Sequence, residues 1–187
     1  MALAFPSAAH AEWRAVETVR TYAISGRTGA ALYASIGERG PIVGGKVRAI
    51  AHTSFTLTWT RKYEPLGGDC VLASARPRLV ITYTLPKPAG QLPPATARIW
   101  EDFIAGVAAH EKVHGDIIRD MVKDIETMSV GLSVAADPDC RKIRLELTKR
   151  LASLSHAQRQ KSRDFDRAEF SDGGNLHQLV LKLVNGQ

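Results

Sequence analysis

Three residues in one short segment have the types and spacing of a metal-dependent hydrolytic site. His110, Glu111 and His114 form an HExxH pattern inside a segment whose apolar residues recur every three or four positions, as on a helix. Positions four apart lie on one face of a helix, so both imidazoles can bind the same Zn²⁺ ion. Glu111 can then act as the general base for a water on that ion. We expect a catalytic residue at Glu111 and metal ligands at His110 and His114.

The pattern by itself fixes only three residues, so its surroundings matter. The flanking residues 107–109 and 113–115 are small or apolar apart from the motif histidine, as expected for a helix buried beside a cleft. Lys112 is a departure, because many zinc-protease helices carry an uncharged residue there. The alternative interpretation is a pair of solvated or core histidines without a metal.

A catalytic zinc ion held by two histidines needs a third protein ligand, which leaves the fourth position for water. Carboxylates are concentrated in residues 163–177, within an otherwise basic stretch. The chain contains neither the longer HExxHxxGxxH pattern nor an NExxxD glutamate helix. The common extracellular zinc-protease subclasses therefore do not match, and the third ligand stays open at this point.

The elements that must position these residues fall into two halves. Residues 16–85 are rich in alternating and β-branched segments, which predict strands. The proline-rich residues 86–95 predict a linker, because proline disfavours both a helix and a central strand. Residues 96–187 predict helices, of which two are long, at 96–128 and 139–167. We expect one α+β domain, a small antiparallel sheet followed by two long helices, the first carrying HExxH as in zincins.

Length and charge limit the function classes further. The chain has 187 residues, which suits one domain. Its net charge of +6 is spread along the sequence, and no aromatic residues interleave with the basic ones as in single-strand nucleic-acid binders. No apolar stretch reaches the roughly 18 residues of a membrane span. We expect neither a nucleic-acid partner nor a membrane span.

The N-terminus resembles the end of a secretory signal. Residues 1–11 form an apolar run that closes with Ala9-His10-Ala11, a small-x-small pattern that signal peptidases accept. A basic n-region and most of an apolar h-region are missing, so we interpret this segment as a residual signal tail before a mature domain at 12–187. The alternative is an alanine-rich N-terminus. The first interpretation predicts a periplasmic or secreted protein.

Cys70 and Cys140 are the only two cysteines of the chain. Their wide spacing does not fit a CxxC metal or redox pair. Two possibilities remain, a pair of unpaired core thiols or one long-range disulfide. Export would favour the disulfide, because disulfides persist in oxidising compartments.

Several motifs follow one another in a recognisable order: Tyr22-Ala23-Ile24-Ser25-Gly26, the Gly40-Pro41 turn, Trp59, Cys70, the segment from Trp100 to His114, Cys140 and Phe165-Asp166. In this order they resemble a bacterial family of predicted secreted zinc-dependent proteases, the domain of unknown function 922. The resemblance spans nearly the whole mature chain. It implies an exported α+β domain with a zinc-hydrolase site, Zn²⁺ as cofactor and a peptide or protein as substrate.

The chain departs from the family pattern at the expected third ligand. Many members end this element as YDxxTxHG, whose histidine would bind the metal, whereas this chain reads FDRAEFSDGG. Without a gap, that histidine falls on Ser171, and a neutral hydroxyl is a poor zinc ligand. We rank Glu169 first as a substitute, which would give a His-His-Glu site, then Asp172, then His177.

Asp166 is expected beside the metal ligands, orienting an imidazole through the ring N–H that does not face the ion. The alternative for both Glu169 and Asp166 is a carboxylate pair that compensates Arg163 and Arg167 on a solvated helix. The oligomeric state is not predicted.

Two functions from different classes compete. The first is a zinc metallohydrolase, a peptidase by resemblance, in which Glu111 activates the zinc-bound water. The second is a catalytically inactive zincin-like domain that binds an envelope partner and uses the histidine pair for structure. The intact Glu111 favours the first, since a structural site has no use for a general base, while the missing histidine at Ser171 favours the second.

Overall fold

The computed structural model describes residues 13–45 and 47–186, so the predicted signal tail at 1–11 lies outside the described residues. The described chain is an α+β fold of six strands and four helices. In chain order they are β1 (Val16–Ile24), α1 (Gly29–Arg39), β2 (Ile42–Val43), β3 (Val47–Arg48), β4 (His52–Leu66), β5 (Asp69–Pro88), α2 (Pro94–Ser129), β6 (Ser133–Val134), α3 (Lys142–Phe170) and α4 (Asn175–Asn185).

The main sheet is mixed, so the expectation of an antiparallel sheet is wrong for one strand. β5 pairs antiparallel with β4 and parallel with β1, from Val16 opposite Val80 to Ile24 opposite Pro88. The connection from β1 to β4 stays near one end of the sheet, and β5 then inserts between the two. β4 starts at the end of the sheet where β1 stops, so β4 runs antiparallel to β1. β5 follows β4 through a hairpin and therefore runs parallel to β1. β6 adds a short antiparallel pair at the start of β5.

The β4–β5 hairpin closes through a pair of glycines. Leu66 pairs with Asp69, which leaves Gly67 and Gly68 as the two central residues of the turn, and both have positive φ, 61° and 93°. Two residues with positive φ match the right-handed twist of the flanking strands, and glycine adopts this region without a steric penalty.

β5 continues to Pro88 and therefore enters the segment 86–95 that was predicted to be a linker. Pro86 and Pro88 pair with β1 alone, because the pairing with β4 begins at Thr84. A proline lacks the N–H of a ladder hydrogen bond, so it is accommodated where one side of the strand has no neighbour. The segment without regular structure shortens to 89–93.

The two long helices are confirmed, and they differ in how much they bury. α2 covers one face of the sheet, and its buried apolar residues recur at helical spacing, among them Trp100, Phe103, Val107, Ile118 and Val122. α3 buries only Ile143 and Leu147, both in its first two turns. The last segment of the chain, α4, is a helix packed against α1 and α2.

The core has three parts. The first lies between α1, α4 and the start of α2, the second surrounds the cysteines, and the third lies between the middle of α2 and the sheet. On α2, Val107 belongs to the first part and Ile118 to the third. The HExxH residues therefore lie at the junction between two apolar clusters.

Cys70 and Cys140 form a disulfide, with their Cα atoms 5.2 Å apart, which confirms the predicted bond. The bond joins β5 to the loop before α3 and is buried in the second part of the core. In the part of the chain that the structure describes, no helix combines the length and apolar character that crossing a membrane would require.

Candidate metal centre

α2 presents the two histidines of the motif on the face that contacts α3. The Nε2 atoms of His110 and His114 lie 3.1 Å apart, as expected for positions one helical turn apart. Both side chains are mostly buried, with 3% of His110 and 13% of His114 exposed. The helix thus brings two imidazole nitrogens to one point, as the spacing predicted.

α3 brings Asp166 to the same point. The Oδ1 atom of Asp166 lies 2.9 Å from Nε2 of His114 and 3.1 Å from Nε2 of His110. In the described part of the chain, these three residues form the group of side chains that could hold a metal ion. Asp166 is nearly half exposed, so the centre reaches solvent on the α3 side.

Charge interactions within this group shift two pKa values. Burial opposes ionisation of Asp166, but hydrogen bonds from His110 and His114 and their positive charge outweigh it and hold the pKa of this carboxyl well below its usual range. Burial likewise opposes protonation of His114, but the hydrogen bond to Asp166 and the nearby carboxylate charges raise the pKa of the imidazole. The site therefore favours an ionised Asp166 carboxylate next to a positive charge on the imidazole side.

The donor set fits a zinc ion. Two Nε2 atoms 3.1 Å apart cannot both point a hydrogen at the other, and both also face the Asp166 oxygen. One cation would satisfy these three atoms together. A tetrahedral ion with bonds of about 2.1 Å holds its ligand atoms about 3.4 Å apart, close to the spacing found here, and imidazole nitrogen with carboxylate oxygen is a set that zinc accepts.

Glu169, the expected third ligand, lies on the other side of the His110 ring. Its Oε2 atom is 3.6 Å from Nδ1 of His110, the nitrogen that faces away from His114. This Nδ1 is buried and has no hydrogen-bond partner at normal distance. Asn175 also donates to the Glu169 carboxylate, at 3.3 Å. The structure thus places Asp166 at the two Nε2 atoms and Glu169 behind His110, the reverse of the predicted arrangement.

The lower-ranked candidates are not brought to this point. Asp172 is exposed in the turn that follows α3. His177 lies on α4, where its Nδ1 atom accepts a weak hydrogen bond of 3.4 Å from the backbone N–H of Gly173. Neither residue belongs to the described group around His110 and His114.

Glu111 is directed toward the sheet instead of toward α3. Its side chain is buried, with 5% of the residue exposed. The hydroxyl of Thr53 on β4 donates to Oε2 of Glu111 at 2.6 Å, and the same Oγ1 atom lies 3.1 Å from the Glu111 carbonyl oxygen. Thr53 was not predicted, because a threonine in a strand gives no functional signal in sequence.

Aromatic rings from α3 pack on the imidazoles. Phe165 stacks on His110 with ring centres 4.7 Å apart and 21° between the planes, and it meets His114 edge to face at 5.4 Å. Phe170 approaches His110 edge to face at 6.0 Å. Packing of this kind restricts the rotation of both rings, which a metal site needs.

Lys112, the charged residue inside the motif, points away from the centre. Its ammonium group pairs with Glu17 on β1 and lies 5.1 Å from the ring centre of Tyr83 on β5. Gly115 lets this ring approach α2, because a Cβ there would lie 2.2 Å from the Tyr83 hydroxyl. Lys112 therefore ties α2 to the sheet, which explains how the motif tolerates a charge there.

Comparison with known families identifies the chain. The bacterial protein family of unknown function DUF922 matches residues 19–174, most of the sequence. The chain belongs to this family. Comparison with curated proteins and with solved structures finds no significant match. The family is one of unknown function, so the match assigns no activity to the chain.

The DUF922 match includes the segment in which this chain lacks the expected histidine. Ser171 stands at that position, immediately after the last residue of α3. Its hydroxyl donates to the carbonyl oxygen of Ala168 at 2.8 Å and so closes the helix end. Ser171 has a local structural role, and the carboxylates that contact the imidazoles come from Asp166 and Glu169 earlier in α3.

Proposed function

We propose that the chain is a zinc-dependent hydrolase of the zincin type, with peptides or proteins as substrates. One observation carries the proposal: two Nε2 atoms and one carboxylate oxygen from separate helices lie within 3.1 Å of one another, beside a buried glutamate. Two histidines and one carboxylate are a known set for catalytic zinc. The peptide substrate rests on the HExxH pattern and on the family resemblance.

Within this proposal, His110, His114 and Asp166 hold the ion, and Glu169 orients His110. The distances support the exchange of the two carboxylate roles, because Asp166 faces the Nε2 atoms and Glu169 faces Nδ1. A histidine that binds metal through one nitrogen commonly donates its other N–H to a carboxylate, which fixes the ring. The buried Nδ1 of His110 would find its partner in this way.

A zinc ion held there would polarise a substrate carbonyl and lower the pKa of a coordinated water. The residues of this chain would supply the rest. Glu111 accepts the proton and returns it to the leaving group. Phe165 keeps the imidazole rings in place, and the half-exposed Asp166 leaves the site open to solvent on the α3 side.

A periplasmic or secreted location is part of the proposal. The disulfide between Cys70 and Cys140 supports it, because such bonds persist mainly in oxidising compartments. The net charge of +6 does not oppose it.

The test compares zinc content with hydrolysis. Purified protein should bind one equivalent of zinc and cleave an unfolded protein such as reduced casein. Glu111→Gln should keep the zinc and lose at least about a hundredfold in rate, the range expected for removal of a general base. Glu101→Gln is the matched control, since Glu101 is an exposed glutamate on the same helix, and it should leave the rate unchanged.

The second candidate is a domain that uses the same site for structure and binds an envelope partner. The observation in its favour is Ser171, which replaces the histidine of the family pattern and serves as a helix end instead. Full zinc occupancy without hydrolysis of any protein or peptide in a broad panel, in both the parent and Glu111→Gln, would favour this candidate.

A further inference from the structure

Thr53 makes the hydrogen bond that holds the Glu111 side chain. The distance of 2.6 Å between Oγ1 and Oε2 is that of a strong bond from a hydroxyl to a carboxylate. Among the described residues, no other donor contacts the Glu111 carboxylate. Since Glu111 is buried, this one bond determines which carboxylate oxygen is held and which remains available.

The strand that carries Thr53 makes it a rigid support. Thr53 pairs with Tyr83 in the register of β4 and β5, and Tyr83 is itself buried with its hydroxyl donating to Glu17 at 3.1 Å. Side chains alternate along a strand, so Thr53 points toward α2 while Ser54 and Thr56 point to the opposite face. A group fixed by sheet pairing holds its partner more firmly than one on a loop would.

We propose that Thr53 is the positioning residue for the general base, an inference that rests on the proposed hydrolytic function. By donating to Oε2, Thr53 fixes the rotation of the Glu111 carboxylate and leaves Oε1 as the oxygen that accepts the proton. The Thr53 hydroxyl donates only to Glu111 among the described residues. It acts through Glu111 alone, and it couples the position of β4 to the reaction.

The first experiment compares Thr53→Val, Thr53→Ser and Thr56→Val in the full zinc-loaded chain. Thr56 is the matched control, an exposed threonine on the other face of β4. With a mixture of quenched fluorescent peptides, Thr53→Val should lower kcat at least about tenfold with little change in KM, because a misdirected base slows chemistry more than it weakens binding. Thr53→Ser should recover most of kcat, and Thr56→Val should match the parent. All variants should retain one equivalent of zinc.

The second experiment needs no activity. A double-mutant cycle of Thr53→Val and Glu111→Leu is measured by urea unfolding with zinc saturating in all four proteins. Thr53→Val leaves the buried Glu111 carboxylate without its donor, whereas in the double variant no carboxylate remains to be satisfied. In Glu111→Leu the Thr53 hydroxyl can still donate to the backbone carbonyl of residue 111. The double variant should therefore lower the unfolding midpoint by clearly less than the sum of the two single effects.

The outcomes separate this inference from the function it rests on. An active parent whose kcat is unaffected by Thr53→Val overturns the positioning role, as do additive unfolding effects in the cycle. A zinc-loaded parent that cleaves no peptide counts against the hydrolytic function. In that case the cycle alone decides whether Thr53 holds the Glu111 carboxylate.

Discussion

The two ends of α3 are attached to the rest of the molecule by different means. At the start of the helix, Ile143 and Leu147 are buried and the Cys70–Cys140 bond anchors the preceding loop. Asp137 adds a cap there, accepting from three backbone N–H groups of the first turn at 2.8 to 3.0 Å. At the far end, no residue from 148 to 170 is buried. Leu151 and Leu154 are half-buried against the third part of the core, and the last turns contact the α2 histidines through Phe165, Asp166, Glu169 and Phe170.

The candidate metal centre thus lies at the end of α3 that has no buried core of its own. Apolar burial stabilises the first turns of α3 whether or not a metal ion is bound. The last turns are held by Phe165 and Phe170 packed on the imidazoles and by polar groups whose attraction a cation would complete. Zinc should therefore stabilise the two ends of one helix to different extents, and the following experiments separate them.

The largest effect is expected from loss of a histidine ligand. His114→Ala should abolish stoichiometric zinc binding, because two remaining protein ligands hold the ion poorly. Hydrogen exchange should accelerate in residues 160–170 and stay unchanged in 143–147. Metal analysis and exchange mass spectrometry measure both. His156→Ala, an exposed histidine on α3, is the control, and equal acceleration at both ends would show that the ends are not independent.

Removal of the disulfide should affect the opposite end. Cys70→Ser with Cys140→Ser should lower the free energy of unfolding by about 4 kcal/mol on the chain-entropy estimate for a loop of this length. Urea unfolding of oxidised parent and variant measures the loss. The folded variant should still bind one equivalent of zinc, since the bond is remote from His110. Loss of zinc from the folded variant would contradict the separation.

The two carboxylates near the imidazoles should differ in their effect on zinc. Asp166→Asn should weaken zinc at least about a hundredfold, or roughly 2.7 kcal/mol, because it removes a charged ligand. Glu169→Gln should cost about tenfold, as for a residue that orients a ligand. Competition with a chromophoric chelator measures both constants. The opposite order would return Glu169 to the position of third ligand.

The smallest effect concerns the cap of α3 and depends on pH. Burial opposes ionisation of Asp137, but its three N–H donors outweigh it and hold the pKa of the carboxyl below its usual value. The stability from this group is fully present above the unfolded-state pKa of about 3.9 and is lost as pH falls through the folded pKa. Asp137→Asn should lower Tm by a few degrees at pH 7, and the difference should shrink below pH 4. A constant difference across this range would exclude the charge as its source.

Periodicity was enough to predict the elements that lie on a regular apolar pattern. β1 begins at Val16, where the strand-rich half was predicted to begin, and α2 begins and ends within two residues of the predicted 96–128. Each element carries a signal within its own residues. Strand order depends on contacts between segments that are distant in sequence. The parallel pairing of β1 and the continuation of β5 through Pro86 could therefore not be predicted.

The site was predictable for the residues that share one helix. The spacing of His110 and His114 fixes their common face, and the structure brings their nitrogens together. Asp166 and Glu169 lie three residues apart on α3, so both face α2 and sequence cannot tell which ring nitrogen each one reaches. The contact between Thr53 and Glu111 could not be predicted either, because it depends on how β4 packs against α2.

The parallel pairing of β1 also has a consequence for the order of folding. β4 and β5 are neighbours in sequence and can form their hairpin early, since closing a short loop costs little entropy. β1 pairs with a segment much later in the chain, since Ile24 lies opposite Pro88, 64 residues further on. A chain that emerges N-terminus first therefore carries an unpaired β1 until residues 80–88 of β5 are available. Long-range pairing of this kind slows folding, so β1 stays accessible to chaperones and proteases until β5 has formed.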